Sequence, residues 1–129
     1  MAKITVVFYR DADGSVPVLE WLDREVGRRD RRIAAKCRAA IKALQQDGRD
    51  LRRPTADYLR DGIYELRVHF GTVNYRMLYF FHGESIAIVS HGLMKEKEVP
   101  DKEITLAMRR KVTYESDPER HSYEETKED

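Results

Sequence analysis

The 129-residue chain has a single cysteine, Cys37, so it cannot form an intramolecular disulfide framework. No apolar run approaches the ~18 residues that a membrane-spanning helix needs, and residues 1–4 lack the apolar segment of a signal peptide. We therefore expect a cytoplasmic protein. Metal-binding Cys/His or HExxH spacings, Gly-rich phosphate loops and internal repeats are also missing from the sequence. We predict no metal site and no cofactor.

Charge is abundant but unevenly distributed. Charged residues make up 36% of the chain and hydrophobic residues 41%, which is typical of a heavily solvated globular protein. Residues 115–129 contain seven acids and two bases, net −5, so the preceding 114 residues carry 22 bases and 16 acids, net +6. A basic body is compatible with a nucleic-acid partner. We predict one domain over residues 1–113 and an acidic, disordered tail over residues 114–129.

The first half of the domain predicts a strand and two helices. Residues 4–9 are rich in β-branched and aromatic side chains, which favours a strand. A helix is expected after Ser15 as N-cap, with Pro17 in its first turn and Gly27 at its end. The second helix ends at Gly48, and the two helices should form an αα-hairpin. The apolar face of this second helix consists of Ile33, Cys37, Ala40, Ile41 and Leu44.

The second half predicts a β-meander and a final helix. Residues 51–62 are expected to be a connector, and residues 63–91 alternate with period two around Gly71-Thr72 and Gly83-Glu84, pairs typical of two-residue turns. Three antiparallel strands follow, and then a basic loop over residues 92–99. A helix starting at Pro100-Asp101 should bury Ile104, Ala107, Met108 and Val112.

Two-residue turns define which residues face each other across the strands. Pairing Phe70 with Val73 and His82 with Ser85 gives an apolar face that should pack on the helical hairpin. Its members are Tyr64, Leu66, Val68, Tyr75, Met77, Tyr79, Phe81, Ile86 and Ile88.

The opposite face carries the candidate chemistry. There Arg67 faces Arg76, which in turn faces His91, so the three should form one cationic row, and His69 faces Asn74. Two opposed arginines repel by up to ~1 kcal/mol, so either an acid such as Glu65 neutralises them or they await an anion, which a guanidinium fork binds well. The far end is predicted to be apolar, with Leu78 opposite Val89 and Phe80 opposite Ala87.

Several segments in this order resemble the RelE superfamily of toxins, and most of all its HigB-like, phage-derived branch. They are GIYELR (62–67), YRMLYFF (75–81), HGLMKEK (91–97) and PDKEI (100–104) followed by Ala107. The resemblance implies an α+β fold: a curved, mainly antiparallel sheet with an N-terminal αα-hairpin on one face and a C-terminal helix. It also implies a toxin that cleaves mRNA on the ribosome by 2′-hydroxyl attack without a metal. A helix-turn-helix antitoxin is the implied partner, besides ribosome and mRNA.

Carried over by motif position, Arg67 and Arg76 would stabilise the phosphorane. Lys95 and Lys97, which Glu96 separates here, would contact RNA together with His69, Asn74 and the nearest candidate for a C-terminal tyrosine, Tyr114. His91 is the expected general acid or base, and its two arginine neighbours should disfavour its charged form; Glu65 is the alternative base. Two other functions stay open: a ParE-like toxin that acts on DNA gyrase, and a non-catalytic module that binds nucleic acid or a partner.

Overall fold

A computed structural model describes residues 3–95 and 97–125. Its centre is a six-stranded sheet in the order β2-β3-β4-β5-β1-β6. The strands are β1 (Thr5–Tyr9), β2 (Ala56–Arg60), β3 (Ile63–Phe70), β4 (Val73–His82), β5 (Ile86–Lys95) and β6 (Ser122–Tyr123). All neighbours are antiparallel except β1 and β5. The expected α+β class and mainly antiparallel sheet are confirmed.

The N-terminal helices depart from the expectation at their caps. Helix α1 covers residues 17–29 as three consecutive helical segments, with a π-helical stretch at Trp21–Val26 between two α-helical ones. Ser15 does not cap it, because its hydroxyl donates to Asp13 Oδ1 at 2.7 Å. Gly27 does not end it either, since its φ of −63° is helical. Helix α2 (Arg31–Asp47) has Asp30 as its N-cap, whose carboxylate accepts a hydrogen bond from the Arg32 N–H. Its C-cap is Gly48, as predicted.

Two predicted loops contain strand. The connector expected over residues 51–62 includes β2, which pairs with β3 at the edge of the sheet. The basic loop expected over residues 92–99 starts later, because β5 continues to Lys95. Both changes widen the sheet beside the arginine pair.

The second hairpin has a different register from the prediction. His82 pairs with Ile86, so the turn has three residues. A bulge at Ser90 then shifts the register by one more residue, so that Tyr79 lies opposite Val89 but Leu78 lies opposite His91. As a consequence Ala87 and Val89 face the helical hairpin, whereas Ile86 and Ile88 face the other side. The predicted faces of these four residues were therefore wrong, and so was the prediction that His91 lies opposite Arg76.

Each face of the sheet has its own core. Helices α1 and α2 cover one face and bury the first hairpin residues as predicted. Helix α3 (Asp101–Ser116) covers the apolar end of the other face, where Leu78 and Phe80 pack against Ile104, Ala107 and Tyr114. Val112 was expected in this core, but it is 70% exposed. No described helix combines the length and the apolar character that crossing a bilayer requires.

The acidic segment that the sequence assigned to a disordered tail packs against the domain as far as residue 125. Helix α3 continues to Ser116, and β6 pairs with the end of β1. His121 is buried, stacks on Tyr9 at 5.7 Å between ring centroids, and bonds through Nδ1 to the Arg10 carbonyl at 2.8 Å. These contacts tie the segment to β1; residues 126–129 lie outside the described residues.

Candidate active site

The arginine pair lies where the first hairpin predicted it. Arg67 of β3 is directly opposite Arg76 of β4, on the face away from α1 and α2. The two side chains are not equivalent. Arg76 is 7% exposed and donates to Glu65 Oε1 at 3.0 Å, while the side chain of Arg67 is 33% exposed and its Nε is 3.7 Å from Glu65 Oε2. Glu65 therefore neutralises Arg76 and leaves Arg67 largely uncommitted.

Glu65 is a buried carboxylate at the base of this site, only 3% exposed. Its burial raises the pKa of the carboxyl above the ordinary value, and the charges of Arg76 and Arg67 oppose that effect only in part. The Nε of Arg76 is buried and has no hydrogen-bond partner among the described residues. A buried polar atom without a partner is costly, so this donor offsets part of the stability that the Glu65 hydrogen bond contributes.

The bulge at Ser90 moves His91 out of the arginine row. Three cross-strand rows run over this face: Asp57–Glu65–Leu78–His91, then Arg67–Arg76–Leu93, then His69–Asn74–Lys95. Leu78 thus separates His91 from Glu65, and Leu93 occupies the position opposite Arg76 that was expected for the histidine.

His91 belongs to a buried hydrogen-bond network of its own. Its Nδ1 lies 2.7 Å from Ser90 Oγ and its Nε2 2.9 Å from Glu103 Oε1. Burial lowers the pKa of His91; the hydrogen bond that the Glu103 carboxylate accepts opposes this, and the charge of Arg110 adds to it. The neutral form is favoured as predicted, but the cause is burial, with Arg110 and not the Arg67–Arg76 pair as the neighbouring cation. Both ring nitrogens are engaged away from the arginine pair.

An open groove of about 880 Å³ lies over the arginine pair. Its walls come from β2, β3, β4 and the loop that leads into α3, and its charged lining includes Arg53, Asp57, Glu65, Arg67, Arg76 and Lys97. Lys97 is exposed at the rim, where the sequence placed it. In all, five bases and four acids line the groove, and one of the acids is the buried Glu65. Guanidinium groups can hold a phosphate there, and the buried carboxylate can accept a proton.

Sequence reasoning missed Arg53 and Asp57 of this groove. They form an ion pair at 2.7 Å, and that interaction lowers the pKa of the Asp57 carboxyl. Asp57 is opposite Glu65 because β2 pairs with β3. The i, i+4 spacing of Arg53 and Asp57 was visible, but it indicated a contact only once the connector was known to contain a strand.

Of the other residues expected to contact RNA, His69 and Asn74 lie beside the arginine pair, and Tyr114 lies in the α3 core. His69 and Asn74 face each other beside Arg67, with His69 Nδ1 2.9 Å from Asn74 Oδ1. The backbone of Lys95 pairs with Asn74 at the end of β5, while its side chain and Glu96 lie outside what is described. Tyr114 is 2% exposed and packs against Phe80 inside the α3 core. Tyr114 therefore does not line the groove, and its expected contact with RNA stays a prediction.

Among the described residues, no group of three or more His, Cys, Asp or Glu side chains is arranged to hold a metal ion.

One comparison with known proteins identifies relatives of this chain. The model of the family described as phage derived protein Gp49-like (DUF891) matches residues 24–112, which is more than half of the chain. The match spans the last six residues of α1, all of α2, strands β2 to β5, the groove residues and most of α3. No curated protein matches the chain.

Proposed function

Because the chain belongs to the phage-derived Gp49-like family, we propose that it is the toxin of a type II toxin–antitoxin pair and cleaves mRNA on the ribosome as an endonuclease. One observation carries this proposal. Arg67 presents a part-exposed guanidinium to an open groove, while the acid beside it is already hydrogen-bonded to Arg76. A part-exposed guanidinium that shares its nearest carboxylate with a second arginine suits a phosphate in a water-exposed groove.

The groove supports a transesterification in which the ribose 2′-hydroxyl attacks the adjacent phosphorus. Arg67 would stabilise the negative charge that develops on the phosphorane oxygens. Glu65 would take the 2′-hydroxyl proton, since its raised pKa makes it a stronger base than an ordinary glutamate. Arg76 would hold Glu65 in place through the 3.0 Å hydrogen bond. Arg53 and Lys97 would contact flanking phosphates, each adding salt-dependent affinity.

The same proposal includes the partners and the branch that the sequence resemblance implies. The toxin would be of the RelE superfamily, close to its HigB-like members, and would work in the cytoplasm. Its substrate would be ribosome-bound mRNA, and a cognate antitoxin of the helix-turn-helix type would inhibit it. The net charge of +6 over residues 1–114 supports a polyanionic target.

Induced expression of Arg67→Ala tests the proposal. We expect the wild-type chain to arrest growth and to produce discrete cuts in mRNA by primer extension, and Arg67→Ala to do neither. Arg29→Ala is the matched control, because Arg29 is exposed at the end of α1, outside the groove. Circular dichroism should show that all three proteins fold alike.

The outcomes separate the alternatives. An Arg67→Ala chain as toxic as the wild type would refute the assignment of the site. Growth arrest without mRNA cuts would favour a toxin that acts on gyrase. Expression without any effect on growth would favour a non-catalytic binding module.

A further inference from the structure

We propose that His69 is the general acid of this site, protonating the 5′-oxygen that leaves when the RNA chain breaks; this rests on the proposed nuclease function. The central segment of β3 would then carry the base, the phosphate-binding group and the acid on a single strand face, as Glu65, Arg67 and His69.

The spacing along β3 places these three groups side by side. They occupy alternate positions and pair in turn with Leu78, Arg76 and Asn74 of β4, so all three point to the same face of the sheet. Alternate residues of a strand are roughly 6.6 Å apart, so Arg67 lies midway between a carboxylate and an imidazole about 13 Å apart along the backbone. Arg67 lines the 880 Å³ groove together with Glu65 and a second depression together with His69, so it borders both groups.

Asn74 orients the imidazole for this role. The Asn74 carbonyl oxygen can only accept, so the 2.9 Å contact means that His69 Nδ1 carries a hydrogen. The ring nitrogen left to contact a bound group is therefore Nε2. His69 is exposed, and a shallow depression of about 350 Å³ is lined jointly by Pro54, Thr55, Arg67, His69 and Asn74. His69 and Arg67 thus face the same space.

The other histidines are committed elsewhere. All four histidines of the chain lie within the described residues. His91 is buried between Ser90 and Glu103, and His121 is buried against β1. His82 lies at the far end of β4, 3.6 Å from Glu115. Only His69 has a ring nitrogen available beside Arg67.

The step balances without any further reactant. Glu65 removes the 2′-hydroxyl proton as the 2′-oxygen bonds to phosphorus. The bond from phosphorus to the 5′-oxygen breaks, and that oxygen takes the proton from His69 Nε2. The products are a 2′,3′-cyclic phosphate and a 5′-hydroxyl, with Glu65 protonated and His69 neutral. Exchange of these protons with water restores both groups.

An RNA whose 5′-bridging oxygen is replaced by sulfur tests the role of His69, because a thiolate leaves without protonation. Single-turnover cleavage of ribosome-bound RNA is measured for the wild type, His69→Gln and Glu65→Gln, with His82→Gln as the matched control. We expect His69→Gln to lose about 10²–10⁴-fold on normal RNA and to return to within a few-fold of the wild type on the sulfur substrate. Glu65→Gln should stay slow on both substrates, and His82→Gln should match the wild type.

The results distinguish two kinds of failure. If His69→Gln cleaves normal RNA at the wild-type rate, or if sulfur does not restore its activity, His69 is not the acid although the nuclease function stands. If the wild type cleaves neither RNA, the nuclease function fails and the role of His69 fails with it.

Discussion

Replacing Gly92 by alanine tests the packing of α1 on β5. A Cβ built at Gly92 would overlap ring atoms Cε3 and Cδ2 of Trp21 and would lie 2.6 Å from Cε2. Carbon atoms in contact prefer about 3.5 Å or more, so the indole or the strand would have to move by about 1 Å. Trp21 is 6% exposed and enclosed by the core. Overpacking of this kind costs about 1–3 kcal/mol of unfolding free energy.

Urea denaturation measures this cost, and Trp21 is the only tryptophan of the chain, so its fluorescence reports directly on the perturbed ring. We expect a lower midpoint for Gly92→Ala and an altered emission of the folded state. Trp21→Leu, followed by circular dichroism, supplies the control background. Without the indole, Gly92→Ala should be neutral or stabilise by about 0.5 kcal/mol, because alanine loses less backbone entropy than glycine in a strand.

The reasoning is refuted if Gly92→Ala is as stable as the wild type. It is equally refuted if the substitution costs the same in the Trp21→Leu background, since the indole would then not be the cause.

Three further predictions concern buried groups. Burial raises the pKa of the Cys37 thiol to about 12, so a thiol reagent at pH 8 should modify Cys37 only at the rate at which the protein opens; rapid modification in native buffer would contradict this. The pKa of His91 is lowered from its ordinary 6.5, so its contribution to stability is complete above pH 6.5 and declines on acidification below it; urea midpoints of His91→Gln should vary less with pH over that window, and an unchanged slope would oppose the assignment. Arg76→Met removes the hydrogen-bonded partner of the buried Glu65 carboxylate and leaves only the longer contact with Arg67, so it should cost about 3 kcal/mol, whereas Arg67→Met should cost less than about 1 kcal/mol; equal costs would show that both arginines are structural.

The first hairpin was predictable because its signals agree. Gly71 has the positive φ that a tight turn requires, and polar and apolar residues alternate clearly on both of its strands. The register that places Arg67 opposite Arg76 followed from that agreement, and with it the position of Glu65 on the same face.

The second hairpin was not predictable because β5 lacks alternation. The residues Ile86-Ala87-Ile88-Val89 are all apolar, and both faces of the sheet are buried there, so either register satisfies the pattern. A bulge at Ser90 then decided the position of His91. No pattern in the chain signals that bulge, and an error of one residue moved the expected catalytic histidine into a separate network.

Local sequence determined the helical hairpin, the first β-hairpin, and the arginine pair beside a carboxylate, because alternation and turn residues act over a few positions. Only the tertiary structure decided which arginine remains available, since this depends on how deeply Glu65 is buried and on which guanidinium reaches it. The same holds for the positions of His91 and Tyr114 outside the groove. Both are buried where α3 packs on the sheet, and that packing depends on contacts between residues distant in the chain.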